Sequence, residues 1–341
     1  LFVAPRADPV AEEPHGAATS VPPAALIPAP PLESGRGPAG QLQLSSVVID
    51  PRLLALEKLA ACFRSVARSP GYFVGRHLLE LNDHRAVGLP VDPFEGVDRG
   101  RWEQMLAEHR PGLVYLTSNF QNPSGYSYSS SEMDAIIGWS RRFGFGILED
   151  DWGSDMLSYS EFKPSLRALG GDNVLYMNSF TKKLLPSLRV GYLLGNERSI
   201  ETLIYGKRVS SLGVSAIIEA GLFEFLDRGY YDAHLRTAQE QLDDRYRRCL
   251  NLLKELMPED VKWTSPGGGP MLWLELPREV ALDALIRRMA ARGVRIESSR
   301  DAFFGPPHLH GFKIGYAFLS VEEMQQGLET LAEELRRARG A

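Results

Sequence analysis

The sequence has few cysteines and no apolar run long enough to cross a membrane. Its 341 residues include two cysteines, Cys62 and Cys249, which lie far apart and form no Cys-x-x-Cys pair. This usage is typical of a protein in a reducing compartment, so we expect a cytoplasmic location. No apolar run reaches the ~18 residues of a membrane span, and the N-terminus lacks the basic-then-apolar order of a signal peptide. We therefore expect no membrane partner.

Positive charge is also in short supply, with 38 lysines and arginines against 43 aspartates and glutamates. The formal net charge of −5 gives no sign of a nucleic-acid-binding surface. His308 and His310 are one residue apart and have no third ligand nearby, so we predict no metal site. Apolar residues, by contrast, make up 44% of the chain, enough for a sizeable core divided between two lobes.

The first 40 residues contain nine of the 23 prolines, together with many alanines and glycines. This composition cannot bury enough apolar surface to offset the entropy lost on ordering, so residues 1–45 are predicted to form a linker. A linker at this position implies that another domain precedes it. Residues 46–69 have apolar side chains at three- and four-residue spacing, which predicts a helical segment.

Beyond this segment, short apolar runs alternate with helical patterns. The runs predict strands at 86–91, 113–117, 146–150, 173–177 and 190–194. The clearest helix begins at Ser129, which has Glu132 at the spacing of a capping box. Continuous apolar strands alternating with amphipathic helices indicate an α/β fold with a mainly parallel mixed sheet between helices. Residues 70–232 are assigned to this larger domain.

The pattern changes after about Ser211, where a long helical stretch leads into a smaller α+β lobe, residues 233–341. In this lobe the stretch Ser-Pro-Gly-Gly-Gly-Pro at 265–270 predicts a hairpin turn. The last helix is predicted to begin at Ser320, which again has a glutamate, Glu323, at capping-box spacing.

Polar residues follow several of the predicted strands, at the edge where open α/β sheets bind ligands. One apolar strand ends in Glu149 and Asp150, and some thirty residues later comes Ser-x-x-Lys followed by an arginine. An aldehyde cofactor with a phosphate tail requires these groups. The amine condenses with the aldehyde as a Schiff base, the carboxylate pairs with the protonated pyridine nitrogen, and the hydroxyl and guanidinium hold the phosphate.

The motifs Asn-Pro-Ser-Gly at 122–125, Ile-Leu-Glu-Asp-Asp-Trp at 147–152 and Ser-Phe-Thr-Lys-Lys at 179–183 resemble a known family. They are similar to the fold-type I aminotransferases of class I/II, which use pyridoxal 5′-phosphate. The greatest resemblance is to the aminotransferase-like domain of the MocR-type regulators of the GntR family. Those regulators join an N-terminal winged-helix DNA-binding domain to this domain by a linker. Residues 1–4 resemble the end of such a winged helix, and the likeness covers Pro70 to the C-terminus.

The resemblance implies a role for each matching residue. Lys182 would be the Schiff-base lysine, with Lys183 incidental to the chemistry. Asp150 would pair with the pyridine nitrogen, and Asn122 would reach the ring hydroxyl. The remaining cofactor-binding roles fall on Ser179 and Arg189 for the phosphate and on Tyr72 for stacking on the ring.

The chain departs from the family pattern in three places. The segment between the first helices and the Pro-x-aromatic element is short, and it lacks the helix start that binds the phosphate in relatives. Trp152 stands where relatives have a tyrosine that hydrogen-bonds the ring oxygen, and an indole can donate but cannot accept. Lys313 stands where relatives have the arginine that binds the substrate carboxylate, so it offers a point charge without a fork.

Three functions follow from these observations as hypotheses. The first is amino-group transfer between an amino acid and a 2-oxo acid by a homodimer. The second is an effector-sensing domain of a transcriptional regulator, which would contact DNA only through a winged-helix domain absent from this chain. The third is a shortened homologue without catalytic activity, which the missing phosphate loop favours.

Overall fold

The computed structural model of the chain describes residues 2–4, 85–157, 164–184, 188–211, 213–303 and 307–338. The predicted helical segment 46–69, residues 5–45 of the predicted linker and the proposed stacking residue Tyr72 lie outside the described residues. Everything said below of the structure refers to the described ranges.

The larger lobe is built on a six-stranded mixed sheet in the order β2-β1-β3-β4-β5-β6. The neighbours β3, β4 and β5 are parallel, whereas β1 and β6 run antiparallel to the strands beside them. The strands are β1 (Phe2–Ala4), β2 (Arg85–Val87), β3 (Leu113–Leu116), β4 (Gly146–Asp150), β5 (Val174–Ser179) and β6 (Gly191–Leu194). The prediction of an α/β fold with a mainly parallel mixed sheet is confirmed, because four of these six strands point the same way.

Helices of the larger lobe connect these strands and pack on the sheet. They are α1 (Arg99–His109), α2 (Ser130–Phe143), α3 (Ser154–Leu157), α4 (Leu166–Gly170), α5 (Glu197–Ser211) and α6 (Ala216–Asp227), with a 3-10 turn at Gly171–Asn173. Residues from α1, α2 and the sheet form one apolar core, which includes Trp102, Leu106, Ile136 and Ile147. Since this core includes residues of β3, β4 and β5, it holds these three strands in place.

The start of α2 is fixed by the predicted capping box. The Ser129 side chain accepts from the Glu132 backbone, and the Glu132 carboxylate accepts from the Ser129 backbone. The same carboxylate also accepts hydrogen bonds from the Tyr126 hydroxyl and the Val97 backbone. Burial alone would raise the pKa of Glu132, but these hydrogen bonds outweigh it and hold the pKa below its ordinary value. One carboxylate therefore connects the loop before α1, the loop after β3 and the helix.

The smaller lobe contains a three-stranded antiparallel sheet in the order β7-β8-β9. Its elements are α7 (Tyr230–Leu256), β7 (Lys262–Trp263), β8 (Met271–Glu275), α8 (Leu282–Ala291), a 3-10 turn at Arg300–Ala302, β9 (Gly311–Gly315) and α9 (Val321–Arg337). The predicted turn at 265–270 joins β7 to β8 as a hairpin, and α9 begins at the predicted capping box of Ser320 and Glu323. The helix α7 runs through position 232, so the division of the chain at 232/233 stays a prediction.

Candidate active site

The carboxyl ends of β3, β4 and β5 meet at one edge of the sheet, because these three strands are parallel neighbours. The loop that contains Asn122 follows β3, Asp150 ends β4, and the turn that contains Lys182 follows β5. Strand order thus brings together three stretches that are separated along the chain. This edge of the sheet is the candidate active site.

Asp150 is a buried carboxylate at the end of β4. The hydroxyl of Tyr115, on the neighbouring strand β3, donates to its Oδ2 at 2.5 Å. Burial raises the pKa of Asp150 above its ordinary value, as does the nearby Asp151, while the Tyr115 hydrogen bond and the positive charge of Lys182 act in the opposite direction. Asp150 is therefore oriented by a neighbour and electrostatically coupled to the predicted reactive lysine.

Lys182 lies in a turn directly after β5, with its side chain at the open side of the sheet edge. Its Nζ is 3.9 Å from the centre of the Trp152 ring. Loss of hydration around this amine and the positive charge of Lys313 lower the pKa of Lys182 to about 8, while the negative charge of Asp150 opposes them. The residue keeps solvent-exposed surface, so water screens part of this effect. An amine with such a pKa is partly neutral, and hence nucleophilic, near neutral pH.

Trp152 forms one wall beside this amine. It is buried against Phe120 and Met271, and the side chains of Leu235, Ala238 and Leu242 on α7 pack around the three. Gly269 also approaches Phe120, because a Cβ at this glycine would lie 3.0 Å from the ring, and the glycine has a φ of +83°. The indole is therefore held by packing from both lobes and presents its face to Lys182.

Lys313 reaches the site from the smaller lobe, on β9 opposite Trp273 of β8. Its Nζ is 3.8 Å from an Oε of Glu297, a distance that leaves the ammonium only loosely paired. Since its charge acts on Lys182, the two amines lie in the same electrostatic environment. The Lys182 amine is thus in contact with Trp152 and within the influence of the charges of Asp150 and Lys313.

The two predicted phosphate ligands lie at the paired ends of β5 and β6. Ser179 is the last residue of β5 and pairs with Gly191. Its hydroxyl lies 3.5 Å from the backbone oxygen of Val190 and accepts a hydrogen bond from the backbone of Thr181. Arg189, which precedes Val190, is exposed, has a φ of +52° and makes no ion pair with any described residue. Both residues therefore lie next to the turn that contains Lys182.

Asn122 lies in the loop after β3, before a cis peptide bond to Pro123. This loop is held by hydrogen bonds between the backbones of Gln121 and Tyr126 and from the backbone of Phe120 to the Ser127 hydroxyl. The loop follows β3 at the same edge as Asp150. The role predicted for Asn122 stays a prediction, as do those of the other site residues.

Lys183, the neighbour of Lys182, was expected to be incidental to the chemistry, and nothing in the sequence indicated its contacts. Its side chain is buried, and its ammonium is 2.8 Å from both carboxylate oxygens of Asp155 and 2.5 Å from Oδ1 of Asn178. Tyr115, the partner of Asp150, was also missed. The sequence around Tyr115 contains no motif that indicates a contact with Asp150. Only the position of Tyr115 on a predicted strand next to β4 could have suggested this contact.

Within the described ranges, no group of three or more histidine, cysteine, aspartate or glutamate side chains could hold a metal ion. His308 and His310 instead contact the backbone oxygens of Val91 and Val280. None of the helices in these ranges combines the length and the apolarity needed to cross a bilayer.

Comparison with known proteins places this geometry in context. The chain is 25% identical over 301 residues to the uncharacterized HTH-type transcriptional regulator YisV of Bacillus subtilis, a match that covers 88% of this chain and 62% of that protein. The chain therefore spans less than two thirds of the length of this relative.

Two solved structures are similar to about three quarters of this chain. The multiple substrate aminotransferase of Thermococcus profundus superposes with a TM-score of 0.70 at 26% identity, covering 74% of this chain and 64% of that one. The α-aminoadipate aminotransferase LysN of Thermus thermophilus, solved with N-(5′-phosphopyridoxyl)-L-leucine, has a TM-score of 0.69 at 26% identity, covering 75% of this chain and 66% of that one. The family model of aminotransferase class I and II matches residues 81–331. This match covers well over half of the sequence, and the chain belongs to the aminotransferase class I and II family.

Proposed function

We propose that this chain binds pyridoxal 5′-phosphate through Lys182 and transfers an amino group between an amino acid and a 2-oxo acid. The observation that supports this most is the environment of the Lys182 amine. Its pKa is lowered to about 8, it lies against the face of Trp152, and its charge is coupled to that of Asp150. An ordinary surface lysine has none of these features.

The groups around Lys182 fit the parts of this cofactor. Asp150 would pair with the ring nitrogen, oriented by the Tyr115 hydroxyl. Arg189 has an exposed guanidinium without an ion-pair partner among the described residues, so it is available to a phosphate. Ser179 and Asn122 would add a hydroxyl and an amide, and Trp152 would border the ring. When bound, the cofactor supplies an electron sink for charge that develops at the substrate α-carbon.

The chain's own residues would then handle protons, orientation and water. The Lys182 amine, with its pKa near working pH, is suited to accept and return a proton at the substrate α-carbon. Asp150 would place a negative charge next to the ring nitrogen. Trp152, held by packing from both lobes, would exclude water from one side of the amine. Lys313 would attract the substrate carboxylate as a point charge.

A second candidate function is effector sensing in a transcriptional regulator. The similarity to YisV, which covers 88% of this chain, favours this alternative. The same site, with its cofactor held by Lys182, would then detect an amine ligand, and any contact with DNA would be made by a winged-helix domain outside this chain. A shortened homologue without activity is the third possibility, and in that case Lys182 would not react with the aldehyde.

We also propose that the protein is a homodimer. Nine of the twelve exposed large apolar side chains in the described part of the chain lie between Tyr192 and Tyr230. They include all three apolar residues of the edge strand β6 and Phe223, which is 68% exposed. An apolar surface concentrated in this way is typical of a protein–protein interface. A second copy of the chain is the occupant that we propose.

Titration of the purified chain with pyridoxal 5′-phosphate tests the cofactor proposal. We expect a visible absorption band that is lost in Lys182→Ala and kept in Lys262→Ala, a matched change at an exposed lysine. Borohydride reduction followed by peptide mass mapping should place the label on Lys182. If the unmodified chain forms no band, or if the label falls elsewhere, the proposal is wrong.

Adding single amino acids to the loaded protein separates the first two functions. An aminotransferase will bleach the band and release the 2-oxo acid, whereas a sensor will shift the band without producing an oxo acid. Lys313→Arg should tighten the binding of simple amino acids, because a guanidinium can bind the carboxylate through two parallel hydrogen bonds.

A further inference from the structure

The two adjacent lysines of the turn after β5 have different surroundings, since Lys182 is exposed and Lys183 is buried. The Lys182 side chain lies at the open edge of the sheet against Trp152. The Lys183 side chain is directed inward and is only 1% exposed. A buried ammonium without partners would be strongly destabilising, so its partners explain why it lies there.

The Lys183 ammonium has two partners from different elements. It is 2.8 Å from both carboxylate oxygens of Asp155, which lies on α3 after β4. It also donates to Oδ1 of Asn178, on β5, at 2.5 Å. This same Oδ1 accepts from the backbone of Ser179, at 2.6 Å. One polar cluster thus connects the ends of two strands beneath the turn.

The helix α7 fixes the same turn from the other side. His234 Nε2 lies 2.7 Å from the backbone oxygen of Lys183, and the Tyr231 hydroxyl donates to Asp155 at 3.2 Å. The ring of Tyr231 packs edge-on against Phe180, which begins the turn. Both the side chain and the main chain of Lys183 are therefore held in place.

We propose that Lys183 is a positioning residue, and that the ion pair between its buried ammonium and Asp155 fixes the turn so that the neighbouring Lys182 amine faces Asp150 and Trp152. The Lys183 ammonium is bound by Asp155 and Asn178, and the Lys183 carbonyl contacts His234 of α7. These contacts leave the turn little freedom to rotate. Rotation of the turn would pull the Lys183 ammonium away from Asp155 and Asn178, and the buried ammonium would lose its partners. As a role in catalysis the inference rests on the proposed function, but the geometric claim concerns the turn alone.

The same contacts explain why only one of two chemically identical side chains can react with an aldehyde. The Lys183 ammonium is buried and already paired with a carboxylate, so it is not accessible to an aldehyde. The Lys182 amine is accessible and beside an aromatic face. Lys183 therefore acts through Lys182 and does not itself contact a substrate.

The test measures the pKa of the Lys182 amine in the full chain without cofactor. The rate of competitive acylation of Lys182 would be followed against pH by mass spectrometry of the peptide that contains it. The variant is Lys183→Met, whose side chain is similar in length to that of lysine but has no charge. We expect the pKa of Lys182 to move toward that of a free lysine and its labelling rate at pH 7.5 to fall by about tenfold or more. The control variant Lys262→Met should leave the Lys182 labelling rate unchanged.

Asp155→Asn keeps the proposal testable if Lys183→Met fails to fold. It removes the charge of the partner and retains a hydrogen-bond acceptor, so the same change in Lys182 titration is expected, to a smaller degree. Lys183→Arg should restore part of the normal titration if the ion pair is what matters. If Lys183→Met folds and its Lys182 titration is unchanged, the proposal is overturned. If Lys183→Met does not fold, the same result in a folded Asp155→Asn overturns it. Because no cofactor is present, this outcome is independent of whether pyridoxal 5′-phosphate binds.

Discussion

Two charges of opposite sign act on the Lys182 amine, and removing them is expected to move its pKa in opposite directions. Asp150→Asn removes a negative charge that stabilises the ammonium, so the pKa should fall below about 8. Lys313→Met removes a positive charge that disfavours the ammonium, so the pKa should rise above about 8. Loss of hydration is the largest cause of the lowered pKa and persists in both variants, so neither should return Lys182 to the ordinary lysine value of about 10.4.

The magnitude follows from the fraction of neutral amine. With a pKa of about 8, roughly 24% of the Lys182 amine is neutral at pH 7.5, compared with about 0.1% for an ordinary lysine. A fall of about one unit would raise the neutral fraction to roughly three quarters, and a rise of about one unit would lower it to roughly 3%. Since water reaches Lys182 and screens both charges, about one unit is the upper bound of each change.

Competitive acylation across a range of pH measures these fractions. The exposed Lys262 in the same digest serves as the reference for an ordinary amine. In the unmodified chain, Lys182 should be labelled far faster than Lys262 near neutral pH. Labelling of the two lysines at equal rates would refute the described environment. Shifts of the same sign in Asp150→Asn and Lys313→Met would refute the assignment of the two charges.

Further expected outcomes concern stability and assembly. Glu132→Ala should cost about 2–4 kcal/mol of unfolding free energy at neutral pH, because it leaves several donors unpaired. The contribution of this carboxyl group, whose pKa is lowered, is present above its unfolded pKa of about 4.3 and is lost as pH falls through the lower folded value. Gly269→Ala should destabilise the chain by about 1–3 kcal/mol, whereas Gly138→Ala, an exposed helical site with open space, should be neutral or stabilising in denaturant titrations. Phe223→Glu should convert a dimer to a monomer in analytical ultracentrifugation, while Phe318→Glu, outside the apolar surface, should not; a dimer that survives Phe223→Glu would contradict the proposed interface.

Sequence reasoning predicted those features that depend on short-range patterns. The capping boxes at Ser129 and Ser320 and the strand that ends in Asp150 lie where the local pattern puts them. The strand predicted at 173–177 is also present, but it runs from Val174 to Ser179. Parallel strands share an edge, so the convergence of the strand ends also followed from the alternation of strands and helices. The proximity of Lys182 to Asp150 was therefore foreseeable.

The role of Lys183 was not foreseeable, because its partners are remote in sequence. Asp155, on α3 after β4, is 28 positions away, and His234, on α7, is 51 positions away. Two adjacent lysines have the same intrinsic chemistry, and only tertiary burial separates them. The same applies to Trp152, whose position depends on the packing of α7 from the smaller lobe.

The helix α7 has a mechanical consequence for the whole molecule. Its 27 residues extend about 40 Å. Its first part packs around Trp152 and Phe120, and its later part contributes Cys249 and Leu253 to the core of the smaller lobe. Melting this helix would remove support from both cores at once, so heat or denaturant should unfold the two lobes in a single cooperative transition. Small rotations of the smaller lobe would also be transmitted along this rigid rod to the turn that contains the two lysines.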